Sequence, residues 1–416
     1  MTNHENWEKV KEVCGRLIEA GFETYLVGGC VRDSLLHRSI NDFDVATSAS
    51  PKQVHDLFER VVLVGEAFGV CRVILENISI EVAQFRKDLE TKDHRRPLGI
   101  IPSDVKEDAE RRDFTMNALF MDPKTFDVID FVDGEKDIQK RTIRTVGLAE
   151  ERFKEDYLRV LRAVRFAAQL GFKIENRAYF SIVKLKNQLS SLSSERVSLE
   201  LSKIMSAQYC IYGLQLLKDT GLWEEFFNGF ELKNEHWSFF KKVFKRINIK
   251  TFEEGLALFF GIYLLRHTCC KDMDLKKISE KIKFFKLAKQ SQDFIQSVLV
   301  GFVTIRNFSS QMDVLKLLDS GDKGIFFKKA IRELGECGFL DKERVKHVLA
   351  LYENLSISTG RLPLPVIKGQ HLLDWGYEGR LIGSVLTQCY EAQLMGEFDC
   401  LVEAESWVKK NFKSNH

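Results

Sequence analysis

Two aspartates, Asp42 and Asp44, stand two residues apart, and a glycine pair, Gly28-Gly29, lies just upstream in the stretch GGCVRDSLLHRSINDFDVATSASP (residues 28–51). If DFDVA (42–46) is a strand, alternation sends both carboxylates to one face and Phe43 and Val45 to the other. Carboxylates that close repel each other unless a cation lies between them. Hard divalent cations such as Mg²⁺ take oxygen ligands, usually one or two carboxylates plus the phosphates of a substrate. The glycines supply the other half. Without side chains they let backbone N–H groups approach a phosphate, and the start of a helix favours negative charge. Arg32 adds a cationic fork in the first turn. The stretch can therefore hold a nucleoside triphosphate and the metal that activates it. Taken singly, each signal is ordinary: a glycine pair before a helix is common, and most D-x-D pairs are surface acids.

These residues need elements to place them. Trp7, Val10, Cys14, Leu17 and Ile18 recur at helical spacing, and Gly21 follows as a stop. TYLV (24–27) reads as a short buried strand that ends at the glycine pair, and VRDSLLH as the first turns of a helix. DFDVA reads as the second strand. Ser50-Pro51 is a helix start, with Ser as cap and Pro at the first helical position. Residues 61–64, 70–75 and 78–85 read as further strands. From about Glu150 the strand signals fade, and the rest reads as mostly helix. The layout is an α/β head followed by a long helical body.

One helix stands out. KEDYLRVLRAVRFAAQLGF (154–172) carries Asp156, Arg159, Arg162 and Arg165 at steps of three. Residues three apart are neighbours on a helix surface, and the row winds slowly round the axis. Leu158, Leu161 and Val164 run parallel to it, toward a core. Read from the residues alone, the row is a solvated face with ion pairs.

The opening stretch also resembles the signature of the class II nucleotidyltransferases, which comprise the bacterial CCA-adding enzymes (tRNA nucleotidyltransferases) and the bacterial poly(A) polymerases. The resemblance implies a polymerase-β-like head with a mixed sheet, then an all-α neck, body and tail. It implies that Asp42 and Asp44 bind the catalytic metals, with Gly28, Gly29 and Arg32 at the nucleotide. ISIEVAQFR (78–86) is similar to the family strand with a third active-site acid, here Glu81; otherwise Glu81 is a lone strand-face acid. EDAERRDFTMNALF (107–120) resembles the family motif RRDFTxNA, which puts Arg112 and Asp113 at the nucleotide. Without the family, Arg111-Arg112 is a charged helix entry.

The row on 154–172 looks like the family's EDxxRxxRAxRF motif. The resemblance assigns Asp156 and Arg159 to the edge of the incoming base, so that the protein itself acts as template. A carboxylate and a guanidinium offer acceptors and donors as a base partner would. Arg162 and Arg165 are then nucleotide or phosphate contacts, or orienters of that pair. Glu155 belongs to the motif with no set role. SSERVSLELSKIM (193–205) is similar to the next family helix, with Arg196 in its first turn as structural support.

The polar run FRKDLETKDHRRPLGIIPSD (85–104) resembles the family's flexible loop, with Arg95, Arg96 and Pro97 as its closing RRP and Arg86, Asp88 and Asp93 upstream. Its usual aromatic is absent, since Glu90-Thr91-Lys92 stands there. The loop is associated with the switch to A addition, and its full length argues against an enzyme that adds only C. Residues 362–398 resemble the C-terminal segment of the family, with Glu378-Gly379-Arg380 in place of its Pro-Gly-Pro. The middle of the body, about 215 to 355, offers no motif, and no C-terminal HD phosphohydrolase pattern is present.

The resemblance implies domains at 1–150 (head), 151–215 (neck, base recognition) and 216–416 (body and tail, RNA binding). It implies CCA addition to the tRNA 3′ end from CTP and ATP by two-metal-ion transfer. A poly(A) polymerase shares these motifs, and an A-adding specialist is also open. The poly(A) enzymes tend to carry a basic stretch after Gly65, where this chain has Glu66. A non-catalytic RNA-binding protein is disfavoured by the intact acids and arginines. A small-molecule nucleotidyltransferase is disfavoured by the helical body.

Bulk properties agree. The 416 residues carry 62 basic and 60 acidic side chains, for a net charge of +2, so any RNA footprint is local. Six prolines and 32 phenylalanines suit a helical protein with a large core. Nine cysteines without a CxxC suggest reduced thiols. The N-terminus has no secretory pattern, and no window approaches the ~20 apolar residues of a membrane span. The expectation is a cytoplasmic enzyme with no membrane contact and no protein partner.

Overall fold

The computed structural model describes residues 3–40, 42–65, 69–76, 78–89, 99–266, 271–307, 311–356, 361–377 and 381–412. The chain forms two compact units, one of Met1–Glu231 with Phe284–Lys286, the other of Leu232–Lys283 and Leu287–His416.

The first unit begins with α1 (Asn3–Glu19), β1 (Thr24–Val27), α2 (Gly29–Leu35) and β2 (Asp44–Thr47). There follow α3 (Pro51–Leu57), β3 (Val61–Gly65), β4 (Val70–Leu75) and β5 (Ile78–Gln84). The short β6 (Arg86–Asp88) and β7 (Ile100–Pro102) pair as a hairpin apart from the main sheet. Then come α4 (Val105–Glu110), β8 (Leu119–Met121), β9 (Val128–Asp130) and α5 (Gly134–Gln139). The main sheet has the order β3-β4-β5-β2-β1-β8-β9. Only β2 and β5 pair in parallel in it, so the sheet is mixed, as expected.

The predicted strands are present, with one shift. The second strand starts at Asp44, so Asp42 and Phe43 lead into it. Ser50 caps α3 in a full capping box with Gln53, and Pro51 opens the helix. Val27, Ala46, Phe85, Ala109, Ala118 and Phe120 form a buried cluster of the head.

The helical part of this unit runs through α6 (Ala149–Glu155), α7 (Leu158–Leu170), α8 (Asn176–Leu185) and α9 (Ser194–Met205). This corrects the reading of 154–172 as one helix. Asp156 is extended (φ −150, ψ 107), and its carboxylate accepts the Leu158 N–H at 3.0 Å. An Asp that bonds the backbone two residues on competes with the helix ladder and favours a turn there. A distant tripeptide closes on α9: Ser198 Oγ donates to the Phe285 carbonyl at 2.8 Å, and Lys286 pairs with Glu195 at 2.7 Å.

Two more helices, Cys210–Asp219 and Leu222–Phe227, complete this unit; among the described residues ten further helices follow, from Asn234–Ile247 to Leu401–Asn411, and there is no strand after Ile174. Phe240, Phe244, Phe259, Phe260 and Phe302 are fully buried in the second unit, which is where part of the phenylalanine excess goes. Among the described residues no helix is long and apolar enough to cross a membrane.

The turn that carries the RRDFT residues is braced from below by Gly134. A Cβ there would lie 2.3 Å from the Thr115 carbonyl oxygen and 2.9 Å from a Leu119 methyl. Backbone cannot yield as a flexible side chain can. Gly134→Ala is expected to lower the urea stability of the protein by about 2–3 kcal/mol, the upper part of the overpacking range. An unchanged unfolding midpoint would show that this packing is looser than the contact implies.

Candidate active site

Strand register fixes the acids. Val27 lies opposite Asp44 across β1–β2, and Asp44 lies beside Glu81 across the parallel β2–β5 pair. Arg72 follows on β4, its guanidinium 3.8 Å from the Glu81 carboxylate. Asp42 is exposed, Asp44 half-buried and Phe43 between them buried. Burial pushes the Asp44 carboxyl up to about 6; Glu81 adds to the rise, Arg112 opposes it, and Asp42 adds a smaller push. Carboxylates gathered against their own repulsion are a donor set suited to a hard divalent cation.

The glycine pair leaves the sheet where Asp44 enters it. Gly28 has φ +75, a conformation that side chains rarely adopt. A Cβ on it would lie 3.6 Å from Arg112 Nη1 and 3.9 Å from Asp44 Oδ2. The position thus keeps open a narrow space between a cation and an acid.

Three buried or half-buried carboxylates aim the arginines. Asp108 takes Arg111 on one oxygen (2.7 and 2.9 Å) and Arg112 on the other (2.8 and 3.1 Å). Asp113 takes Arg162 through Nε at 2.7 Å and through Nη2. Burial opposes the ionised form of Asp113, but Arg162 and Arg159 outweigh it and bring the carboxyl down to about 2. Glu200 on α9 lies 2.8 Å from Arg165 Nε. Arg32 donates to Asn117 Oδ1 at 2.7 Å and to both oxygens of Asp33 at 3.0 Å. The Phe166 ring lies under three guanidiniums, those of Arg165 (4.2 Å), Arg32 (5.4 Å) and Arg162 (5.5 Å). Such contacts partly compensate gathered positive charge.

The break between α6 and α7 sets Asp156 and Arg159. Asp156 Oδ2 accepts from Arg196 Nη2 on α9 at 2.6 Å. Arg159 donates to the Arg152 carbonyl at 3.0 Å and pairs with Glu155. Arg152 holds the same Glu155 at 2.9 Å and bonds the carbonyls of Glu110, Arg111 and Val146. Glu155 therefore positions Arg159.

A cavity of about 510 Å³ gathers most of the residues expected from the sequence: Gly28, Gly29, Arg32, Asp44, Arg112, Asp113, Asp156, Arg159, Arg162 and Arg165. Asp42 and Glu81 are not in its lining. Glu81 is Asp44's neighbour on the sheet, and Asp42 lies two residues before it. Arg95, Arg96, Glu66 and the Glu378-Gly379-Arg380 substitution fall outside the described residues. The lining adds Arg111, Asn117, Leu158, Phe166, Gln169 and Arg196. Asn117 stands inside the RRDFTxNA stretch and was visible there. Arg196 reads in sequence as structural support, and its pairing with Asp156, 40 residues away, has no local signal. Seven arginines against three aspartates make the cavity a receptor for a polyanion.

A family model for the poly A polymerase head domain matches residues 24–144, and one for the probable RNA and SrmB-binding site of polymerase A matches residues 171–233. A CCA-adding enzyme of Bacillus subtilis is 37% identical over 82% of this chain and 82% of its own length. The chain belongs to the CCA-adding enzyme family. A CCA-adding enzyme of Bacillus velezensis is 34% identical over 94% of this chain and 95% of its own. The crystal structure of the Bacillus stearothermophilus CCA-adding enzyme in complex with CTP superposes with a TM-score of 0.77 at 26% identity, covering 97% of both chains. The Thermotoga maritima CCA-adding enzyme complexed with tRNA, at 20% identity and TM-score 0.68, shares the fold. As a member of this family the chain is an enzyme, a tRNA-processing nucleotidyltransferase.

The raised Asp44 carboxyl has a thermodynamic sign. With a folded pKa of about 6 above the unfolded value of about 3.9, the native state binds the proton more tightly, so stability from this group falls as pH rises between them. Asp44→Asn in chelated protein is expected to exceed the parent by about 1–3 kcal/mol near pH 7.5, with the gain vanishing below about pH 3.5. Urea unfolding at the two pH values checks it, and equal stabilities at both would show that the acids are not strained.

Proposed function

We propose that this enzyme adds CCA to the 3′ end of tRNA from CTP and ATP, releasing pyrophosphate. The observation that carries the reading is that one cavity is lined both by Asp44, with Asp42 and Glu81 close by, and by Asp156 and Arg159. Chemistry at a phosphate and selection of a base are thus served by one site. Relatives named as CCA-adding enzymes, and a fold neighbour in complex with CTP, support the same choice.

In this reading Gly28 and Gly29 leave room for the triphosphate, and Arg32 and Arg112 bind its oxygens. Asp113 orients Arg162, and Glu200 orients Arg165, so that both guanidiniums face the nucleotide without turning away. Asp156 accepts from the exocyclic amine that cytosine and adenine share, and Arg159 donates to the adjacent ring nitrogen. Asp42 and Asp44 would hold Mg²⁺, with Glu81 as the third acid. Bound there, the metal would supply charge for the α-phosphate and lower the pKa of the attacking 3′-hydroxyl, as in two-metal transfer. Residues 1–150 act as the catalytic head, 151–215 as the base-reading neck and 216–416 as the body and tail that hold RNA. Arg95 and Arg96 serve the loop associated with the switch to A.

Purified protein with Mg²⁺ and three versions of one tRNA (lacking CCA, ending in C-C, complete) tests this at one-nucleotide resolution. Growth by C, C, A that then stops is expected. Addition of A only to the C-C end would make the protein an A-adding specialist. Long A tails with CTP ignored would make it a poly(A) polymerase. Asp42→Ala is expected to reduce transfer roughly a thousandfold, the several kcal/mol that a metal supplies to transition-state charge, while tRNA retention in a gel shift persists.

A further inference from the structure

Arg196 does more at this site than the sequence suggested. It lies in the first turn of α9, lines the cavity and holds Asp156 Oδ2 through Nη2 at 2.6 Å. The other oxygen of Asp156 is held by the Leu158 N–H at 3.0 Å. With one donor on each oxygen the carboxylate cannot rotate. Each oxygen keeps one further lone pair, and an ionised carboxylate offers acceptors only. The edge it shows to a base is therefore fixed.

The second amine of Arg196 is the other observation. Nη1 is buried and has no hydrogen-bond partner among the described residues. A guanidinium that served packing alone would have its buried donors paired, because an unsatisfied buried donor is costly. Here the buried Nη1 faces the wall rather than the cavity space, so what holds the guanidinium in place is its contact with Asp156.

We propose that Arg196 is a specificity-determining positioning residue: it locks Asp156 so that only a base with an exocyclic amine is accepted. This rests on the reading of Asp156 as the base contact. Cytosine and adenine present an amine at that edge, whereas uracil and guanine present a carbonyl. A carbonyl facing a fixed acceptor leaves two acceptors opposed, and that unpaired contact is what rejects UTP and GTP. Released from Arg196, the carboxylate can swing aside and the opposition is relieved.

The test is single-nucleotide incorporation into tRNA lacking CCA, with CTP and UTP supplied separately to the full-length enzyme and to Arg196→Met, Arg196→Lys and Asp156→Asn, with thermal unfolding of each. The expected result is at least a tenfold loss of CTP-over-UTP discrimination in Arg196→Met, and a partial return in Arg196→Lys, which restores one cation without the fork. Equal loss of both activities, with discrimination intact in both Arg196 variants and relaxed in Asp156→Asn, would overturn the role of Arg196 alone. Discrimination unaffected in Asp156→Asn would instead overturn the base reading beneath it. If Arg196→Met does not fold, Arg196→Lys decides by the same ratio.

Discussion

The contact between Asp113 and Arg162 holds the site together. One partner follows α4 of the head, and the other sits in the middle of α7, 49 residues on. Asp113 is half-buried and ionised, so its charge is costly to leave alone, and removing either partner would strand the other. Its second oxygen accepts the Phe114 N–H at 2.8 Å and faces the Asn117 amide at 3.4 Å. Asn117 in turn receives Arg32 from α2. A single carboxylate thus ties α7 to the turn of the head and, through one amide, to the helix that follows the glycine pair.

Gathering seven arginines round one cavity would be unfavourable if each had only water and the others for company. The protein answers with local acids. Asp33, Asp108, Asp113, Glu155, Asp156 and Glu200 each hold at least one of them. All seven arginines line the cavity while held in this way. The consequence is preorganisation: these guanidiniums are already held and partly desolvated, so an anion entering the cavity would meet them with little rearrangement. The acids at Asp44 show the opposite arrangement, like charges kept together, and the proposed ligand, an anion bound with a cation, would suit both.

Much of this was legible in the residues. TYLV, the glycine pair and the strands at 61–64, 70–75 and 78–85 carry local signals of turn and alternation, and local signals survive folding. The D-x-D pair was read as one strand, but Asp42 precedes the ladder, because pairing with β1 begins at Asp44. The break at Asp156 was missed because helical periodicity runs straight through it; only the side-chain bond to Leu158 and the pull of Arg196 end the first helix there. Asp108 and Glu200 carry no signal of their own for the same reason, and Arg196 reads only as support in the first turn of its helix. Each acts on a partner through a position that strand register or helix packing sets, and a buried acid beside two arginines looks in sequence like any charged helix entry.

The residues that complete α9 arrive late. Ser198 is bonded to the carbonyl of Phe285, and Glu195 to Lys286, while Phe285 packs its ring 5.5 Å from that of Phe227. A ribosome that has released only the first 231 residues has already supplied the sheet, the glycine pair and the aspartates. It has not supplied the three residues that clasp the helix bearing Arg196 and Glu200. During synthesis the sheet that bears the acids can form early, whereas the helix that bears Arg196 and Glu200 gains its last support only after more than 50 further residues emerge. A truncated chain ending before Phe284 would therefore keep Asp42, Asp44 and Glu81 on their sheet while the helix that, on the proposed reading, helps to choose the nucleotide stayed unfastened.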